Sequence, residues 1–330
     1  MNSFASVMQA VELIKPETMP VAPQVLAWAA RTAGIPVRRY VTEAEAMAES
    51  LLQSYLQFRY DLLMVGADNS VEAEALGATL EYPADDYPYV VGRRKPDDLA
   101  SFQLPDPAKA GRMPVILGAC SLLRRQVKNQ VPLVGKVTGP MTIAGQLLGL
   151  EQLLYLIIDA PAKFQEILAF TAQVSILHGQ ALLNAGAHGL VLLEPAGSPA
   201  ILPAAVFHSY LAPLLHNIFS AYAAAGACIR WLHITGPVEK ILSCFKDLPV
   251  NLVGLDYVIS PFRAIKLLPG VCFIGNLKPY LFVSGPQEKI QEEVRALSHL
   301  SGSQLILSSG CELPLDARPE FVTAFMAARE

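Results

Sequence analysis

From Gly189 onward the sequence alternates short apolar runs with helical stretches, and this alternation constrains the fold more than any other feature. Strand-like runs at 189–193, 228–234, 252–256, 271–275 and 304–308 are followed by helical patterns at 203–225, 237–246, 261–267, 286–300 and 318–328. Apolar strands alternating with helices predict parallel βα units. Further runs at 19–23, 62–66 and 133–138 bring the count to eight strands. Eight such units without a linker predict an α/β chain folded as one closed (β/α)8 TIM barrel over residues 1–330, with its active site where the strands end. An open doubly wound sheet is the alternative, but the Gly-rich dinucleotide fingerprint is absent. No P-loop occurs either, and Gly135-Lys-Val-Thr-Gly139-Pro only echoes one.

The first 50 residues add a short amphipathic helix, a Pro16 to Pro23 stretch that must be extended, and helical patterns at 24–33 and 42–60. Thr42 and Glu45 have the spacing of a helix-entry pair. Residues 73–112, rich in Pro, Asp and Tyr, predict elaborated loops over one face, suited to a lid or docking surface. Helices are expected at 114–129, 141–148 and 162–185, the last with 3.6-residue spacing at Phe164, Ile167, Leu168, Thr171, Val174, Ile176 and Leu177.

Composition narrows the function. With 25 basic and 29 acidic residues and no basic block, the chain has nothing to neutralise a run of phosphates, so nucleic acid is not an expected partner. The apolar run Leu147 to Ile158 is interrupted by Glu151 and Gln152 and is shorter than the roughly 18–20 residues that span a bilayer, so no membrane insertion is expected. Met1 to Ile14 carries no Lys or Arg and reads as no signal peptide. Five irregularly spaced cysteines fit a reducing cytoplasm rather than a disulfide framework.

The chemistry is expected at the strand ends. Cys228-Ile-Arg-Trp-Leu-His233-Ile-Thr235-Gly236-Pro237 runs from an apolar segment into an imidazole, a hydroxyl and a turn. Glu194 ends the strand at 189–193, and Cys311 follows the strand at 304–308. If these ends converge, His233, Cys311 and Glu194 offer the nitrogen, sulfur and oxygen donors that zinc takes in tetrahedral sites. Asp68, Asp256 and Asn276 also end strands, where they line the pocket as hydrogen-bonding groups, support it from behind, or serve no special role. Cys120, Cys228 and Cys244 read as core, and Cys272 as a packed small hydrophobe. His178, His188, His208, His216 and His299 read as structural or exposed. No Gly-x-Ser-x-Gly elbow points to a serine hydrolase.

Several motifs resemble the uroporphyrinogen decarboxylase superfamily: Asp68-Asn69 with Glu72-Ala-Glu-Ala-Leu-Gly77, Gly111-Arg-Met-Pro-Val115, Thr138-Gly-Pro-Met-Thr-Ile-Ala144, Leu232-His-Ile-Thr-Gly236, Gly275-Asn-Leu-Lys-Pro279 and Ser309-Gly-Cys-Glu-Leu-Pro314. Within it the chain is most similar to the branch of cobamide-dependent methyltransferases. The decarboxylase is the poorer fit, because its arginine-rich N-terminal signature is replaced by Val21-Ala-Pro-Gln-Val-Leu-Ala27 and its tyrosine by Gln146. The resemblance implies a single barrel and a zinc pattern of His-x-Cys with a distant Cys. His233 and Cys311 match that pattern, whereas Thr235 stands at the middle cysteine; Glu194 is the expected replacement on donor chemistry.

The resemblance further implies that a methyl group moves between a corrinoid, carried by a partner protein, and a small substrate such as a thiol or a methyl ether. Asp68 and Asn276 are the expected catalytic side chains, and Thr138, Thr235 and Asp256 the expected cofactor-binding ones. Thr235 in place of cysteine makes the ion a stronger Lewis acid and tilts the expectation toward an oxygen substrate. A metal-free decarboxylase-like or tetrapyrrole-binding barrel is the alternative.

Overall fold

The strands of the barrel form where the apolar runs predict them. The computed structural model describes residues 2–300 and 304–328, and the side chains of residues 299 and 300 lie outside the described set, His299 among them. Seven parallel strands make one curled sheet: β1 (Leu63–Val65), β4 (Leu133–Thr138), β5 (Gly189–Leu193), β6 (Ile229–His233), β7 (Leu252–Gly254), β8 (Cys272–Leu277) and β9 (Leu305–Ser309), paired in that order. A separate antiparallel hairpin, β2 (Thr79–Glu81) and β3 (Tyr89–Gly92), rises between β1 and β4.

The eighth predicted strand, at 19–23, is a bridged segment rather than a full strand, because its prolines remove the donors a ladder needs. It still closes the ring. Ala22 N donates to Leu307 O at 2.7 Å and Leu307 N donates to Pro20 O at 2.9 Å, while on its other side Asp61 N donates to Val21 O at 2.8 Å. The fold is therefore the expected (β/α)8 barrel with its first strand reduced to a few hydrogen bonds.

Two apolar layers follow from strand periodicity. Inward side chains such as Met64, Val134, Val191, Trp231, Leu252, Cys272, Ile274 and Ile306 fill the barrel interior, and the opposite faces pack under the helices. Val7, Ala10 and Val11 of the N-terminal helix Ser3–Val11 join the interior layer. This helical extension stoppers the barrel at the end away from the strand C-termini.

The long helix Pro161–Asn184 buries Phe164, Ile167, Leu168, Thr171 and Val174 as its spacing predicts, but Ser175, His178 and Gly179 complete the stripe in place of Ile176 and Leu177. Thr42 does not cap the helix Ala44–Phe58. It ends the short helix Val37–Thr42, where its Oγ1 donates to Arg38 O at 2.7 Å. The apolar run around residue 150 is broken at Gly149 into the helices Pro140–Leu148 and Leu150–Asp159, bent by 107°. No single helix among the described residues is long and apolar enough to cross a membrane. Cys120 and Cys272 are buried as expected, whereas Cys228 is exposed at the start of β6 and Cys244 is half-buried.

Candidate active site

A cavity of about 200 Å3 opens at the C-terminal ends of the strands. His233 closes β6 and Thr235 follows it; Cys311 and Glu312 come from the turn after β9, Asp68 and Asn69 from the turn after β1, and Lys136 from within β4. Gln24 of the bridged segment and Tyr87 of the hairpin complete the polar wall. Of the residues singled out from the sequence, the structure brings His233, Cys311, Thr235 and Asp68 around one space.

His233 is 2 % exposed, and neither ring nitrogen has a hydrogen-bond partner among the described residues. Burial pushes its pKa down to about 4, so the imidazole is neutral, the form that binds metal ions. Gly254, its neighbour on β7, leaves the room: a Cβ there would lie 1.9 Å from His233 Nδ1. Burial pushes the Cys311 thiol up to about 11, so this sulfur becomes a thiolate only beside an added positive charge.

Glu194 is not brought to this cavity. Its carboxylate accepts from Met141 N and Thr142 N, each at 2.8 Å, and from Thr142 Oγ1, at the N-terminus of the helix Pro140–Leu148. Exposed backbone N–H groups at a helix start attract a carboxylate more strongly than an open cavity does. Burial nevertheless pushes its pKa up to about 7.

The other expected residues divide in the same way. Asp68 reaches the cavity, but Arg112 Nη1 and Nη2 donate to its two oxygens at 2.6 and 3.1 Å, and Ser70 N donates at 2.9 Å. Burial alone would raise its pKa; Arg112 holds it below the usual carboxylate range. Asp256 accepts from Gly236 N at 2.8 Å, and Asn276 Nδ2 donates to Ile259 O at 2.6 Å, so this pair ties the loops after β6 and β7 to each other and to β8 and does not line the cavity. Thr138 is not among the residues that line the cavity; its N–H donates to Glu72 Oε1 at 2.9 Å. Glu72 also meets His178 Nδ1 at 2.8 Å; burial opposes its charge, but His178 and Lys136 hold its pKa down to about 2.

The donors present make an incomplete zinc site. The unpaired His233 ring and the Cys311 thiol suit zinc, whereas the oxygens of Glu194 and Asp256 are already engaged and Thr235 offers only a hydroxyl. Among the described residues no three His, Cys, Asp or Glu side chains come together as a metal-binding group.

Sequence reasoning missed Lys136, Glu312 and Tyr87. Lys136 is 2 % exposed, its Nζ donating to Asp68 O at 2.5 Å and to Thr138 Oγ1 at 3.4 Å. The signal was a lysine in the middle of a buried strand. Tyr87 accepts from Ala27 N at 3.0 Å and donates to Glu312, whose pKa burial pushes up to about 7. Nothing local in the sequence links the hairpin residue Tyr87 to Glu312; the loop region 73–112 had to fold back over the barrel mouth to join them.

Comparison with known proteins gives the same frame. A profile of the uroporphyrinogen decarboxylase (URO-D) family matches residues 3–330. A methylcobamide:CoM methyltransferase from Methanosarcina barkeri is 26 % identical over 294 residues, covering 88 % of this chain and 85 % of its own. A uroporphyrinogen decarboxylase from Syntrophotalea carbinolica is 28 % identical over 264 residues, covering 77 % and 74 %. Among solved structures, a methyltransferase from Methanosarcina mazei superposes with a TM-score of 0.92 at 24 % identity, covering 100 % of this chain and 98 % of that one.

Proposed function

The chain belongs to the uroporphyrinogen decarboxylase family, and from that premise we propose that it is a methyltransferase that moves a methyl group between a corrinoid on a partner protein and a small thiol or methyl ether. The observation that carries the proposal is a buried, neutral His233 with both nitrogens unpaired, lining one small cavity with the Cys311 thiol at the strand ends. Relatives named as methylcobamide:CoM methyltransferases support the reaction class. Five cysteines without a disulfide fit work in a reducing compartment.

The proposal keeps zinc, held by His233 and Cys311 alone among the protein donors, with Glu194 removed from the ligand set. When bound, such an ion supplies Lewis acidity toward a substrate sulfur or oxygen. The chain's own contribution is orientation: Arg112 fixes Asp68, and Asp256, itself held by Asn276, fixes Gly236 in the loop that carries Thr235. A tetrapyrrole substrate is disfavoured, because a space of about 200 Å3 is smaller than drug-sized ligand pockets and Arg112 occupies both oxygens of Asp68.

Metal analysis and turnover test this together. The purified protein is expected to hold about one zinc per chain, to lose it in His233→Ala and in Cys311→Ser, and to demethylate methylcobalamin with one member of a panel of thiols or, in reverse, to methylate reduced cobalamin from a methyl ether. Wild-type protein that binds no zinc, or variants that keep it, would reject the ligand pair; inactivity across the panel would reject the reaction.

A further inference from the structure

Methyl transfer to or from a heteroatom moves a proton as well as a carbon. A thiol must lose one before its sulfur is methylated, and a departing alkoxide must gain one. In a small cavity walled by buried side chains that proton needs a group to sit on. Asp68 is held by Arg112, and the Tyr87 hydroxyl is placed between Ala27 N and Glu312.

We infer that Lys136 is the catalytic residue that exchanges this proton with the substrate; the inference rests on the methyl-transfer reading. Three observations support it. Lys136 lines the same cavity as His233, Thr235 and Cys311, a space small enough for one bound molecule to touch all of them. Among the described residues it makes no direct ion pair: its two partners there are the backbone carbonyl of Asp68 and the hydroxyl of Thr138. Two acceptors match the two N–H bonds of a neutral amine, which leaves the lone pair for the cavity, whereas the protonated form has a third N–H to give back. Gly66 supplies the passage for the side chain, since a Cβ there would lie 2.6 Å from Lys136 Cβ.

The surroundings let the amine change charge. Burial pushes its pKa down, while Glu72 from the helix Val71–Ala75, Asp68 from the turn after β1 and Glu312 from the turn after β9 pull it up and Arg112 pushes it down. His178, from the helix Pro161–Asn184, faces it through Glu72. A desolvated lysine near carboxylates is a common solution for a base that works near neutral pH.

The step balances in both directions, with the corrinoid as co-substrate. For a thiol, the S–H bond breaks, the proton goes to Nζ, the sulfur pair forms the S–CH3 bond, and the cobalt–carbon pair stays on cobalt. For a methyl ether, the cobalt pair takes the methyl group, the C–O pair stays on oxygen, and the ammonium of Lys136 delivers the proton.

The test uses methylcobalamin and 2-mercaptoethanol across a pH series, with Lys136→Met, a near-isosteric change that a buried position tolerates. A roughly 100- to 10,000-fold loss and a flattened pH profile are expected. Lys136→Ala, assayed with added ethylamine, is expected to regain part of the rate. Independently of turnover, reductive methylation of residue 136 in wild-type protein, read by mass spectrometry, is expected to reach half its maximum at lower pH than at exposed Lys109. A Lys136→Met protein with wild-type rate and pH profile, or labelling of residue 136 that follows Lys109, overturns the inference. Wild-type inactivity with every acceptor rejects the underlying reaction and the inference with it.

Discussion

His188 sits at the opposite end of the barrel from the cavity, and its ring is tied on both sides. Nδ1 accepts from Leu133 N at 3.0 Å and Nε2 lies 3.2 Å from Asn129 Oδ1. Burial first, and then the charge of Arg124, lower its pKa from 6.5 to about 4. The unfolded chain therefore binds the proton at higher pH than the folded one. The contribution of His188 to stability is complete above about pH 6.5 and is lost progressively as the pH falls toward about 4. The melting temperature of His188→Asn is expected to fall less steeply than wild type across that interval; an equal slope would exclude this role. Glu194 separates stability from ligation at the same scale. Glu194→Ala strands three donors at a helix start and is expected to cost about 1–3 kcal/mol in denaturant unfolding. Its zinc content should stay at the wild-type level, and a loss of metal would return Glu194 to the ligand set.

At the scale of elements, the strands were legible because burial writes itself into apolar runs of the right length. β4 and β5 fall on the predicted residues, and the five strands from β5 onward alternate with helices as the pattern requires. The bridged segment and the hairpin were harder to read, since proline-rich and aromatic loop residues carry no period. The N-terminal helix shows what an element can do beyond its own stability. Val7 is fully buried in the barrel interior, so Val7→Asp places an uncompensated charge there and is expected to cost about 3–5 kcal/mol. Ile14→Asp, at a residue 51 % exposed just beyond that helix, is expected to fall within about 0.5 kcal/mol of wild type. Equal unfolding midpoints for the two variants would mean that the helix does not stopper the barrel.

For the whole molecule, chain order and spatial order diverge at the mouth. Residues at 24, 68, 136, 233 and 311 meet around one cavity because the ring of strands brings their ends to one rim, and Tyr87 joins them from the hairpin folded over it. The sequence by itself determined the barrel and placed His233 and Cys311 at its strand ends, since strand period and residue type are local properties. Only the tertiary structure decided that Glu194 caps a helix, that Arg112 holds Asp68, and that Lys136 lines the cavity bonded to the Asp68 carbonyl and the Thr138 hydroxyl. The physical reason is competition. A polar side chain on a strand or in the turn after it takes whichever partner the fold sets nearest, and those partners come from residues 44 to 68 positions away in the chain.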